Sequence, residues 1–201
     1  MLPSKLVDLQ SQLDFVVSTL SGDDIIMSIL RSNKAQEIDA WLGAGCINQR
    51  IWNALTKRES TYGIDDYDLV YFDRSDKSRK AQDVVQMYFS DAFPDIKIEC
   101  TNQARVHLWY KEYFGNSISP LSSVEDAIDY WPTTASAIGV CLRGARLNVY
   151  APRGLTDLFS MTLRPNKGRV TEAVYLNKVK KWKAKWNELT VIDWNLKNSL
   201  E

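Results

Sequence analysis

Asp66-Tyr67-Asp68-Leu69-Val70-Tyr71-Phe72 is the stretch on which the fold turns. Its aromatic and aliphatic residues, bounded by polar ones, specify a strand. Successive side chains of a strand point to opposite faces, so Asp66, Asp68, Val70 and Phe72 share one face and Tyr67, Leu69 and Tyr71 the other. The first face runs from acidic to apolar. Aspartate is depleted in strands, and two carboxylates this close repel unless positive charge lies between them. A divalent cation would supply that charge.

Working outward, the turn Gly43-Ala44-Gly45 separates a predicted strand at residues 38–42 from a helix at 47–56. Beyond the acidic strand, residues 77–89 read as helix and 96–100 as strand. This alternation predicts the α+β class, a small mixed sheet with helices packed on it. On the N-terminal side, Leu6, Leu9, Leu13, Val16 and Leu20 recur at helical spacing up to Ser21-Gly22, and a short helix follows at 24–31. Residues 1–36 are thus a helical N-terminal extension to a main domain at 37–201. Within that domain a helix is expected at 104–113. Ser122-Ser123-Val124-Glu125 has capping-box form and opens another that runs to Tyr130 before Pro132. Strands at 136–142 and 147–151 flank Arg143-Gly144-Ala145-Arg146 as a hairpin. A short helix at 156–161 and a long C-terminal one at 171–186 complete the chain.

Lys plus Arg and Asp plus Glu both number 25, so no global field draws the chain to nucleic acid or anionic lipid. Cys46, Cys100 and Cys141 form no C-x-x-C and leave one unpaired in any scheme, which suits buried residues in a reducing compartment. No basic-then-apolar leader is visible, nor an apolar run near the roughly 20 residues that span a bilayer. The expected location is the cytosol, with no membrane partner.

A strand, a tight glycine turn, a helix and then a strand bearing D-x-D together resemble the nucleotidyltransferase fold of the polymerase beta type. The resemblance places Gly43, Ala44 and Gly45 at the nucleotide-binding turn and makes Asp66 and Asp68 the catalytic, metal-bridging pair. Glu99, in Ile96-Lys97-Ile98-Glu99, becomes the third catalytic and metal-binding acid. Asn102-Gln103-Ala104-Arg105-Val106-His107-Leu108-Trp109, together with Ala151-Pro152-Arg153-Gly154-Leu155-Thr156-Asp157-Leu158-Phe159 and Leu163-Arg164-Pro165-Asn166, is similar to a family of small bacterial nucleotidyltransferase-like proteins. That similarity implies Mg²⁺, with Mn²⁺ as the alternative, a nucleoside triphosphate donor, and a hydroxyl acceptor on a small molecule, protein or RNA. It also implies phosphate contacts from Arg50 and Arg105, with Arg153 and Arg164 as further candidates. Two positions depart from the pattern. Relatives that extend transfer RNA follow the turn with V-R-D, where this chain has Ile47-Asn48-Gln49; Ala44 lacks the hydroxyl many relatives carry.

The chemistry supports the same assignment. Nucleotidyl transfer needs the phosphate charge neutralised and the attacking and leaving oxygens held in line. Two divalent ions about 4 Å apart, bridged by carboxylates, meet both needs. N–H groups of Ala44, Gly45 and Cys46, opening the next helix, are expected to face the phosphates. Plainer readings stand beside these. Lys97 shares the face of Glu99 and would pair with it. Asp65 is read as an exposed or capping residue and His107 as structural. Lys178, Lys180, Lys181, Lys183 and Lys185 read as cations at a helix C-terminus whose Val179, Trp182 and Trp186 form a core stripe.

Two other functions fit parts of the pattern. Gly43-Ala44-Gly45-Cys46-Ile47-Asn48 keeps two of the three glycines of a dinucleotide-binding turn, and Asp73 ends the next strand. A non-catalytic nucleotide- or partner-binding module on the same fold would use the Trp-rich, basic C-terminal half. No phosphate-binding loop of the G-x-x-x-x-G-K-[ST] type and no G-x-S-x-G elbow occurs.

Overall fold

The structure is a computed structural model that describes residues 8–168 and 170–196; Leu6, first of the predicted N-terminal stripe, lies outside them. Helices α1 (Leu9–Ser21) and α2 (Asp24–Arg31) are each opened by an aspartate whose carboxylate accepts from a first-turn N–H, Asp8 from Ser11 and Asp23 from Ile26. A short α3 (Asn33–Glu37), capped by Ser32, follows. The predicted strand at 38–42 is shorter than expected. Asp39, at φ 47°, breaks the extended run, and β1 is Trp41–Gly43.

Five strands form one sheet in the order β3-β2-β1-β4-β5, where β2 is Tyr67–Tyr71, β3 is Ile98–Asn102, β4 is Gly139–Arg143 and β5 is Arg146–Tyr150. β2 and β3 run parallel, and every other pair is antiparallel. α4 (Gly45–Thr56) leaves β1 directly, and α5 (Arg79–Ala92) makes the crossover that the parallel pair requires. Because β1 and β2 are antiparallel, the parallel βαβ unit of a dinucleotide site is not formed, which removes that alternative.

The alternation read from the sequence holds. Tyr67, Leu69 and Tyr71 turn into the main core with Leu42, Ile98, Cys100 and Val140, against Ile47, Ile51 and Trp52 of α4. Val16 and Leu20 of α1 and Ile26 and Ile29 of α2 belong to this same core. α9 (Glu172–Lys183) closes it, as Trp182 and the following Trp186 pack edge-on against Trp52 with ring centroids 5.6 Å apart. On the opposite face Trp41, Val70 and Cys141 are covered by Val124 and Ile128 of α7 (Val124–Ile128), with Trp131 beside them.

β3 is an edge strand, and α5 closes its outer backbone groups with glutamine side chains. Gln86 donates to Ile98 O (2.8 Å) and accepts from Cys100 N (2.8 Å), while Gln82 accepts from Asn102 N (3.0 Å). An edge so occupied offers little to a foreign strand.

Several expectations are corrected. The predicted helix at 104–113 is a 3-10 turn, Gln103–Leu108, followed by α6 (Tyr110–Phe114). Asn102 opens the turn by accepting from Ala104 N. α7 stops at Ile128 and α9 at Lys183, short of Tyr130 and Trp186. α8 (Thr156–Phe159) leads into β6 (Thr162–Leu163), which pairs in parallel with β7 (Thr190–Val191), a contact the sequence reading lacks. The β4–β5 hairpin forms as expected, with Gly144 at φ 61° in its turn. All three cysteines are free and buried. Among the described residues, no helix is long and apolar enough to cross a membrane.

Candidate active site

Strand register brings the acids together. Asp68 lies opposite Gly43 on β1 and opposite Glu99 on β3, so turn, pair and third acid meet side by side on one face. Asp66, two residues before Asp68, shares that face. The Asp68 carboxyl is pushed up to about 6, chiefly by burial and then by the charges of Asp66 and Glu99, while Lys178 and Lys181 oppose the rise. Among the described residues, no group donates a hydrogen bond to it. Asp66 and Glu99 are more open, with side chains 23% and 50% exposed, and Lys97 stands between them. Its Nζ is 3.7 Å from Asp66 Oδ2 and in direct contact with Glu99 Oε1. Those contacts hold the Lys97 ammonium above its usual range, Glu99 contributing most. The plainer pairing of Lys97 with Glu99 is therefore present.

Three carboxylates on one face make a hard, all-oxygen donor set of the kind Mg²⁺ and Mn²⁺ take. A half-buried Asp68 without a hydrogen-bond donor, beside a second acid, is short of the charge such an ion carries. In donor chemistry and face the residues fit. Among the described residues, however, no three His, Cys, Asp or Glu side chains are gathered closely enough to hold an ion, and Lys97 engages two of the three acids.

At the turn, Ala44 adopts φ 50° and ψ −124°, a conformation L residues rarely take. Its N–H donates to Ile138 O (3.1 Å), so of the three expected phosphate donors this one is spent within the protein. The N–H groups of Gly45 and Cys46, first of α4, make no hydrogen bond among the described residues and face outward from the helix start. Gly45 is hemmed in, for a Cβ there would stand 3.0 Å from Gln49 Nε2.

Neither predicted arginine reaches this face. Arg50 is paired with Asp23 (Nε to Oδ2, 2.6 Å) and lies near Tyr67 on the core side of the sheet. Arg105, 8% exposed, donates to Lys77 O (3.2 Å) and Gln82 Oε1 (3.5 Å), beside Tyr71 on the core side. Arg164 grips Asp157 with two nitrogens, and Arg153 donates to Asp129 O. All four have partners that hold the fold.

A cavity of about 320 Å³ opens on the acidic face. Its floor is Ala44, Asp68, Val70 and Thr101; Gln103 and α6 form one wall, and Val174 and Lys178 of α9 close it from above. Trp131 forms another part of the wall, its indole lying over Gly43 in the space a Cβ would need. From the sequence Lys178 reads as one of the cations at a helix C-terminus rather than as a site residue, while Gln103, Val106 and Trp109 of the wall fall in the stretch that carries the family resemblance. A signal was available. Lys178, Lys181 and Lys185 recur at steps of three and four, and the last two hold Asp65 (3.3 and 2.7 Å) at the entrance of β2. Asp65 is exposed, as expected, and the clamp adds ion pairs that the sequence reading did not give it.

A sequence model of a family described as Nucleotidyltransferase matches residues 32–191. Among solved structures, a protein whose NMR structure is described as revealing a CCA-adding enzyme head domain is similar in fold, with a TM-score of 0.73 and 22% sequence identity over 92% of this chain and 96% of that one. A comparison with curated proteins finds no match.

Proposed function

Because the chain belongs to the nucleotidyltransferase family, we propose that it moves a nucleoside monophosphate from a triphosphate to a hydroxyl, with Asp66, Asp68 and Glu99 as the reacting row. The register Asp68 opposite Glu99, with Gly43 alongside, carries this reading, since it sets a phosphate-binding helix start next to acids on two neighbouring strands.

In the reaction the acceptor oxygen attacks the α-phosphorus and forms a new P–O ester bond. The bond from that phosphorus to the oxygen leading to the β-phosphate breaks, and pyrophosphate leaves. Gly45 and Cys46 N–H groups receive phosphate oxygens at the positive end of α4. Lys178 supplies the cation that Arg50 and Arg105, turned elsewhere, do not. Glu99, at the open end of the row, takes the hydroxyl proton. A Mg²⁺ or Mn²⁺ ion held by the three acids would neutralise the phosphates and lower the pKa of the attacking hydroxyl.

Calorimetric titration of each of the four ribonucleoside triphosphates, in Mg²⁺ and in EDTA, tests this reading. Wild-type protein binds one or more of them only with Mg²⁺, and Asp68→Asn loses about tenfold or more in affinity. Absence of any metal-dependent binding would favour the second reading, a binding module whose acids are kept neutralised by Lys97, for which the contacts of Lys97 with Asp66 and Glu99 speak.

A further inference from the structure

Gln49, one turn into α4, is 3% exposed, and its Oε1 is buried with no hydrogen-bond partner among the described residues. Side chains of a helix lean toward its N-terminus, so residue 49 reaches back over residue 45. The amide does so here, for Nε2 stands 3.0 Å from where a Cβ on Gly45 would be. Glycine at 45 thus leaves room for a carboxamide beside the open N–H groups of Gly45 and Cys46. Asn48, its buried neighbour, has a partner for each end of its amide, Ala44 O at 2.6 Å and Gln49 N at 3.3 Å, once the carboxamide is turned to face them. Gln49 has no such closure. An orphaned buried acceptor weakens a fold where an apolar side chain would not, and it marks a group kept for a ligand.

We propose that Gln49 reads the sugar of the donor nucleotide, its Oε1 accepting from a ribose hydroxyl while the phosphates lie on the start of α4. This inference rests on the transferase reading and adds to it the residue that selects a ribonucleotide. The chemistry of the orphan chooses the group. Ionised phosphate oxygens only accept, so they satisfy the N–H groups of Gly45 and Cys46 but leave Oε1 bare. A hydroxyl both donates and accepts, and so meets it. Of the hydroxyls in the reaction, the attacking one belongs at the Glu99 end of the acid row, on β3, whereas α4 leaves β1 on the other side of Asp68. The hydroxyls beside the α4 start are therefore those of the donor's sugar. Rotation about the last bond of a glutamine is soft, which lets Oε1 turn to the ligand without moving the helix.

Calorimetry in Mg²⁺ tests this with three probes: a ribonucleoside triphosphate that binds, its 2′,3′-dideoxy analogue and inorganic tripolyphosphate. Wild-type protein should take the ribonucleotide about tenfold more tightly than the dideoxy analogue. In Gln49→Leu that ratio should fall to about one, while tripolyphosphate affinity changes less than about twofold. A purely structural Gln49 would instead weaken all three ligands alike. Urea unfolding should find the variant at least as stable as wild type, since the orphan is gone, and Gln49→Met serves as the second variant where leucine packs badly. Equal binding of the two nucleotides by wild type, a preference that survives in the variants, or a parallel loss of all three ligands would overturn the proposal and leave the transferase reading standing. Wild-type protein that takes no triphosphate would overturn both.

Discussion

Gly43 and Trp131 share one volume, since a Cβ on Gly43 would overlap the six-membered ring of the indole. Glycine is required there by a side chain from a distant segment rather than by backbone conformation. Gly43→Ala should therefore cost about 1–3 kcal/mol, and Trp131→Leu in the same chain should recover most of it. Urea unfolding of the two single variants and the double variant checks this; a fully stable Gly43→Ala would contradict the packing described.

Asp68 predicts a pH dependence. Folding raises its carboxyl from 3.8 to about 6, so between those values the native chain holds a proton that the unfolded chain has released. Its contribution is greatest below the unfolded value, falls as pH rises through the window, and is constant above it. The total is at most about 3 kcal/mol. In EDTA, Asp68→Asn should be more stable than wild type near neutrality by up to that amount and equal to it in acid, with millimolar Mg²⁺ narrowing the neutral-pH gap. Parallel stability curves for the two proteins would defeat the prediction.

Lys178 lines the cavity with Asp68, its charge opposes the rise of that carboxyl, and no ion pair engages it among the described residues. Lys178→Met should weaken triphosphate binding about tenfold, the scale of one charge-assisted hydrogen bond. Its other contact, over the Trp182 ring at 5.5 Å, is minor, so thermal stability should change little. Unchanged triphosphate affinity would exclude Lys178 from the site.

Lys97 competes with any metal ion for Asp66 and Glu99. Removing it by Lys97→Met leaves those acids facing each other with less positive charge, and Mg²⁺ affinity should rise several-fold by calorimetry. A fall in affinity would mean that Lys97 assists rather than excludes the ion.

What was legible in the sequence follows from short-range physics. The period-two pattern of β2 fixed which acids share a face, and residues 43–45 marked the start of α4. The core role of Trp182 and Trp186 was equally readable from helical spacing. What escaped depends on distant partners. Arg50 and Arg105 carry the right charge, yet Asp23 of the helical N-terminal segment and Lys77 before α5 hold them on the other side of the sheet. The polar face of α9 could be seen, but nothing local shows that it lies over the acidic end of β2. Two-residue strands such as β6 and β7 have no periodicity to detect.

The glutamines of α5 have a consequence for how this sheet opens. Amides at a bare sheet edge trade their protons for deuterium whenever the strand frays, whereas those of Cys100 and Asn102 are closed by Gln86 and Gln82. Their exchange then follows the lifting of a whole helix rather than local breathing. The alignment of Asp68 with Glu99 is thereby secured by a helix that lines no part of the cavity.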